Sequence, residues 1–186
     1  VLTFGHLLLR KCDEHDPQRE GLETIVNETT RCKRIVRGLL DFARETELQK
    51  VDADVNEILQ ESLRLTENQA LVHNVTIVKH LNPNLPNIML DKGQIQQVFI
   101  NLFLNAIEAM PNGGLLELKA DVVTTTIHKI DRRNKRFPLN NKEATYVEVK
   151  VRDTGVGIKP ENIDTIFDPF FTTKPQGSGL GLSIVY

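Results

Sequence analysis

Four short stretches of this sequence hold residues whose types and spacing could do chemistry. The run DKGQIQQVFINLFLNAIEAM, residues 91–110, sets Gln97, Asn101, Asn105 and Glu108 three or four apart, as one polar stripe on a helix. Asparagine is a poor helix-interior residue because its amide competes for backbone hydrogen bonds. Two in register, flanked by Phe and Leu, make either an ordinary solvated stripe or one aimed at a ligand or metal, with Asn105 offering a neutral amide oxygen. DTGVG at 153–157 places the Asp153 carboxylate before Gly155 and Gly157. A carboxylate at a strand end can accept a hydrogen bond from an exocyclic amine, and glycines let the backbone come close to a base. IFDPFFTTK at 166–174 is aromatic and then phosphate-friendly at Thr172, Thr173 and Lys174. GSGLGLSIV at 177–185 runs Gly177, Gly179 and Gly181 into an apolar helix start, where backbone N–H groups can meet phosphates. It is not a P-loop, because no G-K-[ST] follows. Taken singly, each stretch also has a plain reading as a turn, a core cluster or a glycine-rich connection.

The surrounding pattern supplies the elements that position them. Ile95, Val98, Phe99, Leu102, Phe103, Ala106 and Ile107 recur at helical spacing and give 91–110 a wide apolar face. MPNGG at 110–114 ends that helix with turn residues. LLELKADVV (115–123) and TYVEVKVRD (145–153) alternate as strands, and the second delivers Asp153 at its end. VTIVKHL (75–81) alternates in the same way. Pro83 and Pro86 then break the chain before a short strand, IML, at 88–90. Residues 55–72 read as an amphipathic helix with Ile58, Leu59, Leu63 and Leu65. The polar stretch 124–144 carries His128, Lys129, Arg132, Arg133, Lys135, Arg136 and Lys142 and reads as an exposed hairpin extension. A nucleic-acid patch would want stacking aromatics, and only Phe137 is there.

Towards the N-terminus, residues 1–13 read as the tail of a helix, with Leu2, Leu8 and Leu9 apolar. EHDPQ (14–18) breaks it, Asp16 being a good N-cap and Pro17 a good first residue for a long helix reaching Leu48. Leu22, Ile25, Thr29, Cys32, Val36, Leu39 and Ala43 alternate steps of three and four, a heptad seam widened by Val26, Ile35, Leu40 and Phe42. The pattern predicts an antiparallel helical hairpin. Its excess apolar face is covered either by a second copy, giving a four-helix bundle, or by the rest of the same chain.

Composition narrows the class. The chain has 186 residues, 26% charged and 40% hydrophobic, as ordinary globular proteins do. A formal net charge of −2 suggests neither nucleic acid nor an anionic membrane as partner. Cys12 and Cys32 make no metal-ligand spacing and read as small apolar residues on helices in a reducing compartment, with a bridge as the minor alternative. No apolar run reaches membrane-spanning length and no signal peptide is present, so direct membrane contact is not expected and a cytoplasmic location is. A chain that starts without Met and begins and ends inside patterned segments reads as a piece of a longer protein.

The four stretches, in this order, resemble the N, G1, F and G2 boxes of the ATP-binding domain of sensor histidine kinases, and NAIEAMPNGG resembles the nitrogen-regulation type. The resemblance covers nearly the whole chain. It implies an α+β fold: a two-layer α/β sandwich of the Bergerat type, residues 55–186 with its C-terminal end missing. A dimerising hairpin, residues 1–48, and a linker, 49–54, precede it. It implies Mg-ATP as ligand, with Asp153 reading adenine and Asn105 holding the magnesium that bridges the phosphates. Asn101, Gly155, Gly157, Ile158, Phe167, Thr172, Thr173, Lys174, Gly177, Gly179, Leu180, Gly181 and Leu182 complete the nucleotide contacts. Residues 158–178 become a lid hinged at Ile166, Phe167, Phe170 and Phe171. The implied reaction passes the γ-phosphoryl to a bundle histidine and then to an Asp of a response-regulator receiver domain.

Departures from the family pattern shape the expectation. Asn101 stands where gyrase-like and chaperone-like relatives carry a Glu that acts as general base, and an amide cannot take that proton. That favours phosphoryl transfer over hydrolysis. Glu108 stands where many sensor kinases place a Lys facing the phosphates. The lid, TTKPQGSGLGL, is shorter than the family pattern. None of the five histidines has the acceptor context of a following acidic residue and a nearby Pro. LTFGHLLLR looks like the run after the acceptor, so His6 reads as a bundle residue. His15 reads as a loop residue, and His73, His80 and His128 as surface positions. The competing functions are an ATP-hydrolysing conformational machine of the same fold and a non-catalytic scaffold with a decayed pocket.

Overall fold

The computed structural model describes residues 1–13, 16–43, 48–130, 136–174 and 177–185. In chain order the elements are α1 (Leu2–Lys11), α2 (Arg19–Ala43), β1 (Val51–Ala53), α3 (Val55–Val72), β2 (Val75–Leu81), β3 (Ile88–Leu90), α4 (Lys92–Glu108), β4 (Gly114–Ile130), β5 (Arg136–Asp153), a 3-10 turn (Pro160–Asn162) and α5 (Gly181–Val185). The chain divides into two compact units, residues 48–158 and residues 1–47 with 159–186.

The unit 48–158 is a two-layer α+β sandwich. Its sheet runs β2-β4-β5, with β2 parallel to β4 and β4 antiparallel to β5. The cross-strand register puts Leu116, Leu118, Ala120 and Val122 on one face with Asp153, Val151, Val149 and Val147. Helices α3 and α4 bury their apolar stripes in the same core as Leu116, Leu118, Ala120, Val147, Val149 and Val151. On α3 the buried positions Val55, Ile58, Leu59, Ser62, Leu63, Thr66 and Ala70 follow helical spacing. On α4 they are Phe99, Phe103, Ala106 and Ile107, with the Phe99 and Phe103 rings stacked at 6.1 Å. The opposite sheet face is a charged lattice of Glu117, Lys119 and Asp121 paired with Arg152, Lys150 and Glu148, as expected for a sheet covered on one side. Its closest ion pair is Lys150–Glu148 at 2.8 Å.

Helix starts are fixed by aspartates. Asp54 accepts the Asn56 N–H at 2.8 Å at the head of α3, and Asp91 accepts the Gln94 N–H at 3.1 Å at the head of α4. Asn74, just past α3, takes the left-handed conformation with φ 54°, the usual asparagine end cap.

Several expectations change. The segment read as a plain linker contains β1, antiparallel to β3 with Asp52 opposite Met89. The two long strands reach further than expected, into an antiparallel ribbon with a bulge between Thr126 and His128, so the described parts of 124–144, residues 124–130 and 136–144, extend the two strands as an antiparallel pair. Residues 131–135, with Arg132, Arg133 and Lys135, lie outside the described residues. Leu65, read with the apolar face of α3, is 65% exposed.

In the other unit, α1 and α2 meet as a helical hairpin, and the long helix starts at Arg19 rather than Pro17. The Asp16 carboxylate accepts the Gln18 N–H at 2.8 Å, which caps the new helix as expected. The seam is shifted from the heptad reading. Val26 is buried, and a Cβ added to Gly5 would stand 2.6 Å from its Cγ2, so α1 packs on Val26 through a glycine. Ile25, Cys32 and Val36 face outward, as do Phe4, Leu7 and Leu8 of α1. Cys12 closes α1 rather than lying within it, and both cysteines are free. His15 and residues 44–47 lie outside the described residues.

Asp91 also accepts the Gln49 N–H at 3.0 Å, and its backbone donors, Gln94 first and then Gln49, hold its pKa below the ordinary carboxylate range. Asp121 is lowered by the Asn82 side-chain amide at 3.0 Å and then by the Val122 N–H. Both folded values lie below the unfolded value of about 3.9. The stability the two groups add is therefore complete above that value and is lost as pH falls through the folded ones. Denaturant unfolding followed from about pH 5 to pH 2 should lose stability with acid, and Asp91→Asn, which keeps a capping side chain without the charge, should flatten that slope.

Candidate functional site

Asp153 ends β5 on the helix-covered face of the sheet, opposite Leu116. The chain then turns sharply, and the turn is tied down at several points. The Asp153 Oδ1 accepts the Gly155 N–H at 2.8 Å. The Val156 N–H donates to the Ala109 carbonyl at 3.0 Å, which joins the turn to the end of α4. Gly155 is the point of closest approach, since a Cβ there would stand 2.6 Å from the Ala109 carbonyl oxygen and 2.8 Å from Asp153 Oδ1. A glycine is required here by packing. Gly157 and the exposed Ile158 follow.

One helical turn inside α4, the Asn105 carbonyl accepts the Ala109 N–H at 3.0 Å. The Asn105 and Asn101 side chains sit half-buried on the stripe, and Gln97 Nε2 donates to Asn101 Oδ1 at 3.1 Å. Glu108 is exposed at the helix end. The structure thus assembles Asn101, Asn105, Asp153, Gly155, Gly157 and Ile158 in the unit 48–158. Ala109 was invisible to sequence reasoning. Its part is played by a carbonyl, for which any residue type would serve.

The remaining candidates lie in 159–185. Thr172 Oγ1 accepts the Lys174 N–H at 3.1 Å, and the Gly177 N–H donates to the Lys174 carbonyl at 3.1 Å, so Thr172, Thr173, Lys174 and Gly177 form a compact bend. The Phe170 N–H donates to the Gly179 carbonyl at 2.9 Å, closing a loop whose two ends both have positive φ, 69° at each. A side chain on Gly179 would run into the Phe170 backbone. Leu180 is buried, and Gly181 and Leu182 open α5. The aromatic group corrects an expectation. Phe167 and Phe170 are exposed and only Ile166 and Phe171 are half-buried, so the part of the reading that made them a core cluster does not hold.

Residues 90–186 match the family model described as Histidine kinase-, DNA gyrase B-, and HSP90-like ATPase. The chain belongs to that family. Among curated relatives, it is 34% identical over 189 residues to the sensor kinase CckA of Brucella abortus, covering 100% of this chain and 19% of that protein. It is 28% identical over 181 residues to the sensory histidine kinase/phosphatase NtrB of Rhizobium meliloti, covering 97% of this chain and 46% of that one. Among solved structures, the histidine kinase ThkA in complex with the response regulator protein TrrA aligns with a TM-score of 0.62 and 25% identity, over 92% of this chain and 46% of that one. The chain therefore spans less than half the length of these curated relatives.

Among the described residues no three His, Cys, Asp or Glu side chains gather as a metal cage. Magnesium needs none when nucleotide phosphates and water fill most of its sphere, and a single amide oxygen such as that of Asn105 suits it.

Three substitutions test the packing argument. Gly155→Ala should destabilise the fold by roughly 1–3 kcal/mol through overpacking on Ala109, read as a fall in thermal midpoint. Gly179→Ala combines a clash with an unfavourable φ and should cost more than Gly155→Ala, whereas Gly157→Ala, with open space at its Cβ, should carry only the backbone term of roughly 1 kcal/mol.

Proposed function

We propose that this chain is the nucleotide-binding catalytic part of a sensor histidine kinase, with part of its dimerisation hairpin. The observation that carries the reading is the Asp153 turn, a carboxylate at the sheet's end above a glycine pressed onto the end of α4. Asp153 offers its carboxylate to the exocyclic amine of adenine, and Gly155 and Gly157 let the base lie close to the backbone. Asn105 would hold the magnesium through its amide oxygen. Thr172, Thr173, Lys174, Gly177, Gly179 and Gly181 supply phosphate donors, with Ile158, Phe167, Leu180 and Leu182 as apolar contacts. Bound magnesium supplies charge neutralisation at the phosphates.

Catalysis in this reading is mostly positioning and electrostatic stabilisation, because phosphoryl transfer asks for little covalent chemistry from the protein. Asn101 supports transfer over hydrolysis, since its amide cannot act as a base on water. The receiver of the γ-phosphoryl is a histidine on a dimerisation bundle, and its Asp-bearing partner is a response-regulator receiver domain. The ThkA–TrrA complex supports that pairing. The outward apolar residues Phe4, Leu7, Leu8, Ile25 and Val36 support a homodimer through the hairpin. Among the described residues no helix is long and apolar enough to cross a membrane, and the reading places this part of the protein in the cytoplasm. His6 is exposed on α1 but lacks an acceptor context, so the chain by itself binds nucleotide without labelling its own histidines.

Calorimetric titration with a non-hydrolysable ATP analogue should show magnesium-dependent binding. Asp153→Asn should weaken it by about tenfold or more, the scale of losing a hydrogen bond to a charged group. ATP turnover without phosphohistidine would instead favour a hydrolysing machine. No binding by a folded sample would favour a scaffold.

A further inference from the structure

The nucleotide reading gives no task to Thr154, yet its hydroxyl is committed twice. Thr154 Oγ1 accepts the Leu115 N–H at 3.0 Å and donates to Met110 Sδ at 3.6 Å. The Thr154 N–H donates to the Leu115 carbonyl at 3.2 Å. Main chain and side chain together stitch the residue after Asp153 to the start of β4. Met110 is 2% exposed, so the acceptor of that hydroxyl is fixed inside the core. Gly114 keeps the space open, because a Cβ there would stand 2.6 Å from Met110 Sδ and 2.7 Å from Thr154 Oγ1.

These contacts hold the turn from one side. On the other, the Ala109 carbonyl accepts the Val156 N–H and Asp153 Oδ1 accepts the Gly155 N–H. The Asp153 carboxylate therefore projects from a turn whose next residue cannot rotate without breaking two side-chain hydrogen bonds and one backbone bond. A hydrogen bond to an amine is directional, so the aim of the carboxylate matters as much as its charge.

We infer that Thr154 is a positioning residue for adenine recognition: its hydroxyl, locked between the Leu115 N–H and the Met110 thioether, sets the direction in which Asp153 meets the exocyclic amine. The inference rests on the proposed role of Asp153. A merely structural hydroxyl would affect stability and would weaken all nucleotides alike. A positioning hydroxyl weakens those that carry the amine.

The test uses the full chain and its Thr154→Val, Thr154→Ala and Thr154→Ser variants, each checked for folding by thermal unfolding. Each is titrated with ATP and with purine riboside triphosphate, which has the same phosphates and lacks the amine. Removing the hydroxyl should weaken ATP about tenfold while leaving the analogue within about twofold, and serine should restore the wild-type preference. If neither the valine nor the alanine variant folds, Met110→Leu removes the acceptor at near-constant volume and should lower the same preference about threefold. An equal loss for both nucleotides, or an unchanged preference in the folded variants, overturns the inference. A folded wild-type chain that binds ATP no better than the analogue shows instead that Asp153 is not the amine acceptor, and the inference falls with that reading.

Discussion

The unit 48–158 depends on one constraint: the three-stranded sheet has a single apolar face, and α3 and α4 must cover it. Phe103, Leu116 and Leu118 are fully buried there. Each such side chain contributes roughly 2–3 kcal/mol on burial, several times a typical net hydrogen bond. Hydrogen bonds then decide where within that packing the functional groups stand. Asp153 is the clearest case. Period-2 alternation puts it on the covered face, and the sheet ends there, so a position that would be apolar in mid-strand becomes a carboxylate at a rim.

Sequence periodicity was informative wherever one face was buried and the other was not. Residues 75–81 and 88–90 form strands with the expected limits, and α3 spans the expected 55–72. The failures have physical causes. β1 is three residues long with Asp52 at its centre, too short and polar to alternate visibly, and it exists because β3 offers it a partner. Heptad spacing does not say whether the facing helix belongs to the same chain or to another. Within this chain α1 meets Val26, admitted by Gly5, while the heptad positions Ile25 and Val36 face outward.

The candidate site was legible as residue types but not as geometry. Asn105 and Asp153 could be picked out by chemistry, since an asparagine mid-helix and a carboxylate before two glycines both ask for an explanation. Thr154 and Ala109 could not. One looks like ordinary turn filler, and the other acts only through its carbonyl. The aromatic residues before Lys174 show the opposite error. Phenylalanines suggest burial by composition, but Phe167 and Phe170 are exposed, Phe170 with a left-handed backbone that bulky residues rarely adopt.

The two hydrogen bonds that run from the Asn105 carbonyl to the Ala109 N–H, and from the Ala109 carbonyl to the Val156 N–H, form one continuous chain. They tie the end of α4 to the turn after β5 through the main chain. The backbone positions that carry Asn105 and Asp153 are therefore set when the protein folds, not when a ligand arrives. Preorganisation of this kind raises affinity without adding a contact.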